Sequence, residues 1–481
     1  MRRRYPALVL AVAAFVAVIA TARTTQPADS AVYSVAAQGW MPRVTADPGL
    51  TETWFCPGVP ATGGDVHGEL TIANRGSTRL EGTVLVVNDA RQNVRLELEV
   101  EGWSHATIDL DQTLPGNIVG AVVEVEVGED GGGALVEQTS YQPGGDSSTA
   151  CATATSDEWY LADGFTVEGS TDALVLTNPG EQTVVVDVSF VTREGPRSPN
   201  RYSGLTIAPR SVRVLDLGAP GAGAQSEPLL AVHVEASQGR LVVGRSQTFR
   251  GGGRAGTQVS LAQPALREQW WFAGSHFGDG RFEEYVIYNP TANDVQAEVV
   301  VLGVPSVVPA DPVPVPARSV VTFNPGVLDG MPVGPYAVVF ATLADRSVVV
   351  ERVTTQNTDD GMRTTVLAGA TSRPSDGYLP STWHITQAPE VATEDAIVIH
   401  NANNVEGTVS VFAVGASGPA PVPSLQNLTL PASQMLSLDL TDPVALGRTL
   451  IVETENWVVV ETMFPSGEGA SRSAAWAIPQ G

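Results

Sequence analysis

The chain has 481 residues, 43% hydrophobic and 16% charged, enough apolar material for several packed domains and too much for a disordered chain. Its 27 basic residues against 52 acidic ones leave a formal charge of −25, so it lacks the clustered cations that phosphate neutralisation needs, and nucleic acid is excluded as a partner. All 27 basic residues are arginine, which removes every mechanism that uses a lysine as nucleophile, Schiff base or phosphate ligand.

Residues 1–22 have the form of an export signal. Arg2, Arg3 and Arg4 give a positive start, Ala7 to Ile19 an uncharged apolar stretch, and Ala20-Thr21-Ala22 a small-x-small cleavage site. Cleavage there starts the mature chain near Arg23. Retention leaves an N-terminal anchor, although the apolar stretch is slightly shorter than the roughly 20 residues that span a bilayer comfortably. Either way the remainder is expected outside the cytoplasm, secreted or attached to the membrane through this segment alone. Residues 23–52, without alternation and rich in Ala, Thr and Pro, read as a linker. Cys56 and Cys151 are the only cysteines, and in an oxidising exterior such a pair predicts a disulfide.

From there the chain repeats. An aromatic pair recurs as Trp54-Phe55, Trp159-Tyr160, Trp271-Phe272 and Trp383-His384, the tryptophans 105, 112 and 112 residues apart. Each is followed by an asparagine that closes a short apolar run: Asn74, Asn178, Asn289 and Asn401. Runs such as Leu174-Val175-Leu176-Thr177 and Ile397-Val398-Ile399-His400 predict strands, and Asn178-Pro179-Gly180 and Asn289-Pro290-Thr291 place asparagine and proline where a type I or II turn uses them. A β-branched run follows each turn, as in Val184 to Val188 and Val295 to Leu302, so a hairpin is expected. Later pairs such as Ala337-Val338-Val339-Phe340 and Val348-Val349-Val350 bring each module to about seven short strands without helical periodicity. The prediction is all-β, with four tandem Ig-like β-sandwich modules at 53–156, 157–268, 269–381 and 382–481. A β-propeller built from half-modules is the competing architecture. Short linkers predict that the modules stand in a semi-rigid row.

Trp159-Tyr160-Leu161-Ala162-Asp163-Gly164, Asn178-Pro179-Gly180 and Trp271-Phe272-Ala273-Gly274 resemble a repeat of exported bacterial proteins that form a family of unknown function. The resemblance covers nearly all of the chain after the export signal and implies a structural repeat, with no activity to transfer. Arg75-Gly76 and Ala402-Asn403 depart from the Asn-Pro pattern in the first and fourth modules.

Catalytic spacing is missing from the sequence. The six histidines include no H-E-x-x-H pair, and no G-x-S-x-G elbow occurs. Glu137, Glu351 and Glu461 stand at equivalent points after apolar strands, with Gly244 in the remaining module. Such recurrence reads as scaffold, paired with arginines such as Arg352, rather than as acid or base. Glu129-Asp130-Gly131, Asp359-Asp360-Gly361 and Asp279-Gly280 offer weak calcium candidates without EF-hand spacing; no other cofactor is expected. The tryptophans are expected across the sandwich rather than stacked on sugars. The proline-rich segment holding Pro305, Pro309, Pro312, Pro314 and Pro316, and the 193–201 segment of the second module, are loops where binding could reside. The resulting expectation is a non-enzymatic, exported surface protein with a structural or adhesive role, its partner an envelope component. The alternative is a polysaccharide-binding protein of the envelope.

Overall fold

The computed structural model describes residues 40–44, 50–128, 130, 132–278, 280–303, 307–343, 346–358, 361–373, 377–466 and 472–481. The export signal, most of the 23–52 linker, and Glu129, Gly131, Asp279, Pro305, Asp359 and Asp360 lie outside them.

The first module sets the pattern: β1 (Thr51–Ala61), β2 (His67–Asn74), β3 (Leu80–Asn88), β4 (Asn93–Val100), β5 (His105–Asp109), the short helix α1 (Leu110–Thr113), β6 (Gly116–Glu126), β7 (Ala134–Tyr141) and β8 (Ser147–Ala150). One antiparallel sheet runs β1-β6-β3-β4 and the other β5-β2-β7-β8. Both sheets draw strands from the two halves of the module, so no half-module forms a propeller blade and the module is a two-sheet sandwich. The other three modules repeat this order, with the β4 position divided into two short strands. Outward-facing strands alternate as a half-solvated sheet should: in Val295–Gly303, Val295, Ala297, Val299 and Val301 are buried, and Gln296, Glu298 and Val300 are exposed. The strand equivalent to β2 is buried on both faces near its end in every module, which explains its unbroken apolar runs.

The asparagine corner is identical in all four modules. Each amide nitrogen donates to three carbonyls: Asn178 to Gln182, Ile207 and Ala208 at 2.7, 3.2 and 3.1 Å, with Asn74, Asn289 and Asn401 making the matching set. Each amide oxygen accepts the N–H two residues on, at Gly76, Gly180, Thr291 and Asn403. Arg75-Gly76 and Ala402-Asn403 therefore form the same corner without proline. A left-handed residue completes it each time: Trp103, Arg210, Arg318 and Ser433 have φ of 56°, 49°, 51° and 53°, and their N–H groups bond back to Gly76, Gly180, Thr291 and Asn403. None is glycine, so each position is strained by about 1 kcal/mol, offset by the hydrogen bonds it permits.

The tryptophan register needs one correction. In the third module the buried ring is Trp270, whose indole N–H donates to Val348 O at 3.0 Å as Trp159 donates to Leu241 O and Trp383 to Val458 O. Trp271 instead matches Phe55, Tyr160 and His384, each bridged through its backbone to the end of its own module, and the Trp271 ring turns to His400 of the fourth module. Two adjacent tryptophans made the sequence ambiguous by one residue, and in a strand one residue changes the face.

Cys56 and Cys151 form the disulfide, with Cα atoms 4.5 Å apart. It joins β1 to the end of β8. The same two positions hold Leu161 with Ala262, Phe272 with Gly369, and Ile385 with Ala477, all buried. In the third module a Cβ on Gly369 would lie 2.9 Å from the Phe272 ring, so the small partner makes room for the large one.

The modules close into a ring rather than stand in a row. Thr177 Oγ1 of the second donates to Pro57 O of the first at 2.5 Å; Asp163 N of the second to Glu351 of the third at 2.6 Å; Gly274 N of the third to Glu461 of the fourth at 2.9 Å. The fourth returns to the first: Ser466 Oγ donates to Asp146 O at 2.5 Å, Ile478 joins the first module's core, and Val44 N bonds to Pro479 O at 2.9 Å. The last strands of the modules, β8, Arg254–Leu261, Gly361–Ala368 and Arg472–Trp476, meet at the centre around a cavity of about 70 Å³. The loop between β7 and β8 reaches all three other modules: Gly145 O accepts from Thr257 Oγ1 at 2.7 Å, and Asp146 O from both Arg363 Nη2 at 2.8 Å and Ser466.

Candidate functional site

The ring places four equivalent seams side by side. Each is built on the strand equivalent to β7, whose central residue faces the preceding module: Glu137, Gly244, Glu351 and Glu461. The next residue, on the opposite face of the strand, is Gln138, Arg245, Arg352 and Thr462 in turn, and the two arginines reach the following module.

Where both positions are charged they form a staple across the seam. Arg245 Nη2 lies 3.1 Å from Glu351, and both side chains are essentially inaccessible. Glu351 also accepts the N–H groups of Ala162 and Asp163. Burial lifts the Glu351 carboxyl above its ordinary range, and the Arg245 guanidinium opposes that shift. One seam on, Arg352 pairs with Glu461, which accepts Gly274 N. Burial pulls the Arg352 guanidinium down, but the Glu461 and Glu283 carboxylates more than offset it, so it stays charged. Arg352, expected beside a glutamate, thus serves the carboxylate of the next module and not Glu351, its own neighbour.

At these two positions the seam between the first and second modules carries no charge. A Cβ on Gly244 would meet Pro57 Cγ at 2.7 Å, so the missing side chain lets the proline ring take the carboxylate's place. Gln138 turns back to accept Gly58 N at 3.1 Å.

The seam between the fourth and first modules keeps the glutamate and lacks the arginine. Glu137 faces Thr462, and the space a guanidinium fills elsewhere is part of a cavity of about 600 Å³. Its walls carry Glu69, Glu137, Asp146 and Glu390, the imidazole of His105, and the rings of Tyr141 and Phe464. Glu137 keeps some accessible surface, which belongs to this wall. Burial raises its pKa to about 7, the Thr386 and Ser148 hydroxyls offsetting only part of the rise. Among the described residues no cation lies beside it. Ser473, 8% exposed and on the same wall, has a hydroxyl without a partner. The recurrence of glutamate was legible in the sequence; the cavity was not, because it depends on the first and last modules meeting.

A second cluster joins residues far apart in sequence. His67 Nδ1 lies 2.6 Å from Asp111 and 3.7 Å from Asp109, and the three could hold a metal ion. Asp111 already accepts from His67 and from Gly68 N at 3.2 Å, so the group is complete as a hydrogen-bonded carboxylate–imidazole pair. Of the calcium candidates, Asp130 is occupied by the turn after β2: it accepts from Ser77 N at 2.5 Å, Ser77 Oγ at 2.6 Å, Thr78 and Gly132 N, and these bonds hold its pKa far below the ordinary range.

The module-opening rings Trp54, Trp159, Trp270 and Trp383 are at most 1% exposed and cannot stack on a ligand. The exposed aromatic surface is elsewhere: Tyr378, 46% exposed, stacks on Trp457, 40% exposed, with centroids 4.2 Å apart.

No curated protein matches the chain. A solved structure described as a tetra-tandem repeat in the extending region of a large adhesion protein aligns over 84% of this chain and 93% of that one, at 13% identity and a TM-score of 0.12. Residues 111–244 match a family of unknown function (DUF5719), a span that holds Trp159 to Gly164 and Asn178-Pro179-Gly180 of the second module.

Proposed function

We propose that the chain is an exported, non-enzymatic element of the cell exterior with a structural or adhesive role. The observation that carries this reading is the fate of the repeated side chains. The tryptophans, the asparagines, and the glutamates and arginines of the two charged seams are all consumed in building modules and closing the ring. A disulfide in the first module suits an oxidising exterior. The test is fractionation of native cells with mass determination of the mature protein, followed by incubation with isolated envelope, with and without calcium. Retention on the envelope is expected. A mature start near Arg23 with full release to the medium and no retention overturns the proposal.

The stacked Tyr378 and Trp457 favour a second reading, polysaccharide binding, because paired exposed rings offer the flat apolar surface on which sugars stack. Retention on an envelope-glycan column that is lost in Trp457→Ala supports it; retention unchanged by that substitution refutes it.

A further inference from the structure

The two charged seams show what a glutamate at this point of the ring takes as its partner. Glu351 and Glu461 each receive a guanidinium from the preceding module, together with backbone N–H groups of the strand equivalent to β1. Glu137 occupies the same place on β7, but the residue that would supply the guanidinium is Thr462, and Thr462 Oγ1 is turned to Ala475 O at 3.2 Å. A carboxylate is left at the wall of a cavity of about 600 Å³, a size that encloses a small organic molecule.

The cavity's charge points the same way. Glu69, Asp146 and Glu390 share the wall with Glu137, and among the described residues His105 is the one basic side chain on it. Tyr141 and Phe464 add ring surface against which a planar guanidinium can lie. The unpartnered Ser473 hydroxyl offers a further acceptor for its N–H groups.

We propose that the cavity between the fourth and first modules binds a guanidinium group supplied from outside the chain, with Glu137 as its carboxylate partner in the position that Arg245 and Arg352 fill at the other charged seams. The group comes either from a small guanidino compound or from an arginine side chain of a peptide, and the chemistry at Glu137 is the same. The elevated pKa of Glu137 agrees with a carboxyl that lacks its counter-ion.

The test is calorimetric titration of the full chain at pH 8 and low salt with agmatine, with acetyl-Gly-Arg-Gly-amide, and with the citrulline peptide, which is isosteric and neutral. Saturable binding of a guanidinium probe is expected, at least tenfold tighter than the citrulline control. Agmatine binding as tightly as the peptide assigns a small compound; binding of the peptide alone assigns an arginine side chain. Glu137→Gln should weaken binding at least tenfold, and Thr462→Arg should abolish it by supplying the guanidinium internally. Should Thr462→Arg fail to fold, Thr462→Leu, which narrows the cavity without charge, should still weaken binding while Glu137→Gln fixes the charge dependence. Equal binding of the citrulline peptide, indifference to Glu137→Gln, or no saturation in the millimolar range overturns the proposal.

Discussion

The ring lets the cross-link in the first module be separated from the packing around it. Cys56 and Cys151 close a loop across a sequence separation of 95 residues, and the chain-entropy relation assigns such a loop about 4.7 kcal/mol of stabilisation relative to the reduced chain. The second module shows how the same two positions are filled without a bond, by Leu161 and Ala262. The double substitution Cys56→Leu with Cys151→Ala should therefore preserve the packing and remove only the cross-link. Guanidinium chloride unfolding, followed by tryptophan fluorescence, should show a loss approaching 4–5 kcal/mol in the transition of the first module. Reducing agent should shift the wild type by the same amount and leave the variant unmoved. Cys56→Ala with Cys151→Ala should lose about 2 kcal/mol or more beyond that, because alanine at position 56 leaves space where leucine fills it. A Leu/Ala variant as stable as the oxidised wild type would refute the entropic assignment. A Leu/Ala variant no better than Ala/Ala would refute the equivalence of the positions.

Three further outcomes follow from the corners and seams. Asn178→Ala should destabilise the second module by about 3 kcal/mol in thermal unfolding, since four hydrogen bonds go and buried carbonyls lose their donor; Asn178→Asp, though isosteric, should do no better because a carboxylate cannot donate. Arg352→Ala should cost roughly 3–5 kcal/mol by stranding Glu461, whereas Arg352→Met combined with Glu461→Leu should lie within about 2 kcal/mol of wild type by denaturant midpoint. Glu137 holds its proton to about pH 7 when folded and to about pH 4.5 when unfolded, so between these values the folded state binds more protons and stability falls as pH rises. Glu137→Gln should match wild type in unfolding free energy below pH 4.5 and exceed it above pH 7, by at most ~3 kcal/mol; a gap that does not change with pH refutes the assignment.

Strand content and repetition were legible because period-two alternation and Asn-Pro turns are local signals, and Val184–Thr192 folds as its pattern predicts. The corner at Asn74 and Asn401 survives without proline because four hydrogen bonds, not the fixed φ of proline, define it. The left-handed Arg210 and Arg318 carried no signal, since nothing in an arginine announces positive φ. Ring closure was illegible for a different reason. Leu70-Thr71-Ile72-Ala73 is buried on both faces, which shows that something covers the sheet without saying that the cover is another module of the same chain. The seam pairs Arg245–Glu351 and Arg352–Glu461 span 106 and 109 residues, so each arginine's true partner is one repeat away, while Glu351 and Arg352 sit adjacent in sequence and face different modules.

The four seams also differ in how they are joined. Three connect modules that follow one another in the chain, where a short linker already holds the partners together. The fourth joins the last module to the first, and closing it must overcome the entropy of a loop that spans almost the whole chain. What holds it is local: Val44 bonded to Pro479, Ile478 in the first module's core, Ser466 on Asp146, and β8 packed against Arg472–Trp476. This is also the seam that lacks its arginine and contains the cavity. A ligand that supplies a cation to Glu137 contacts the first and fourth modules at once, so by linkage it stabilises the closed ring by RT ln(1 + [L]/Kd), about 2.7 kcal/mol at a hundredfold excess over Kd. The absence of arginine at position 462 thus leaves the closure of this one seam open to control by concentration, where its two charged counterparts are fixed by their own side chains.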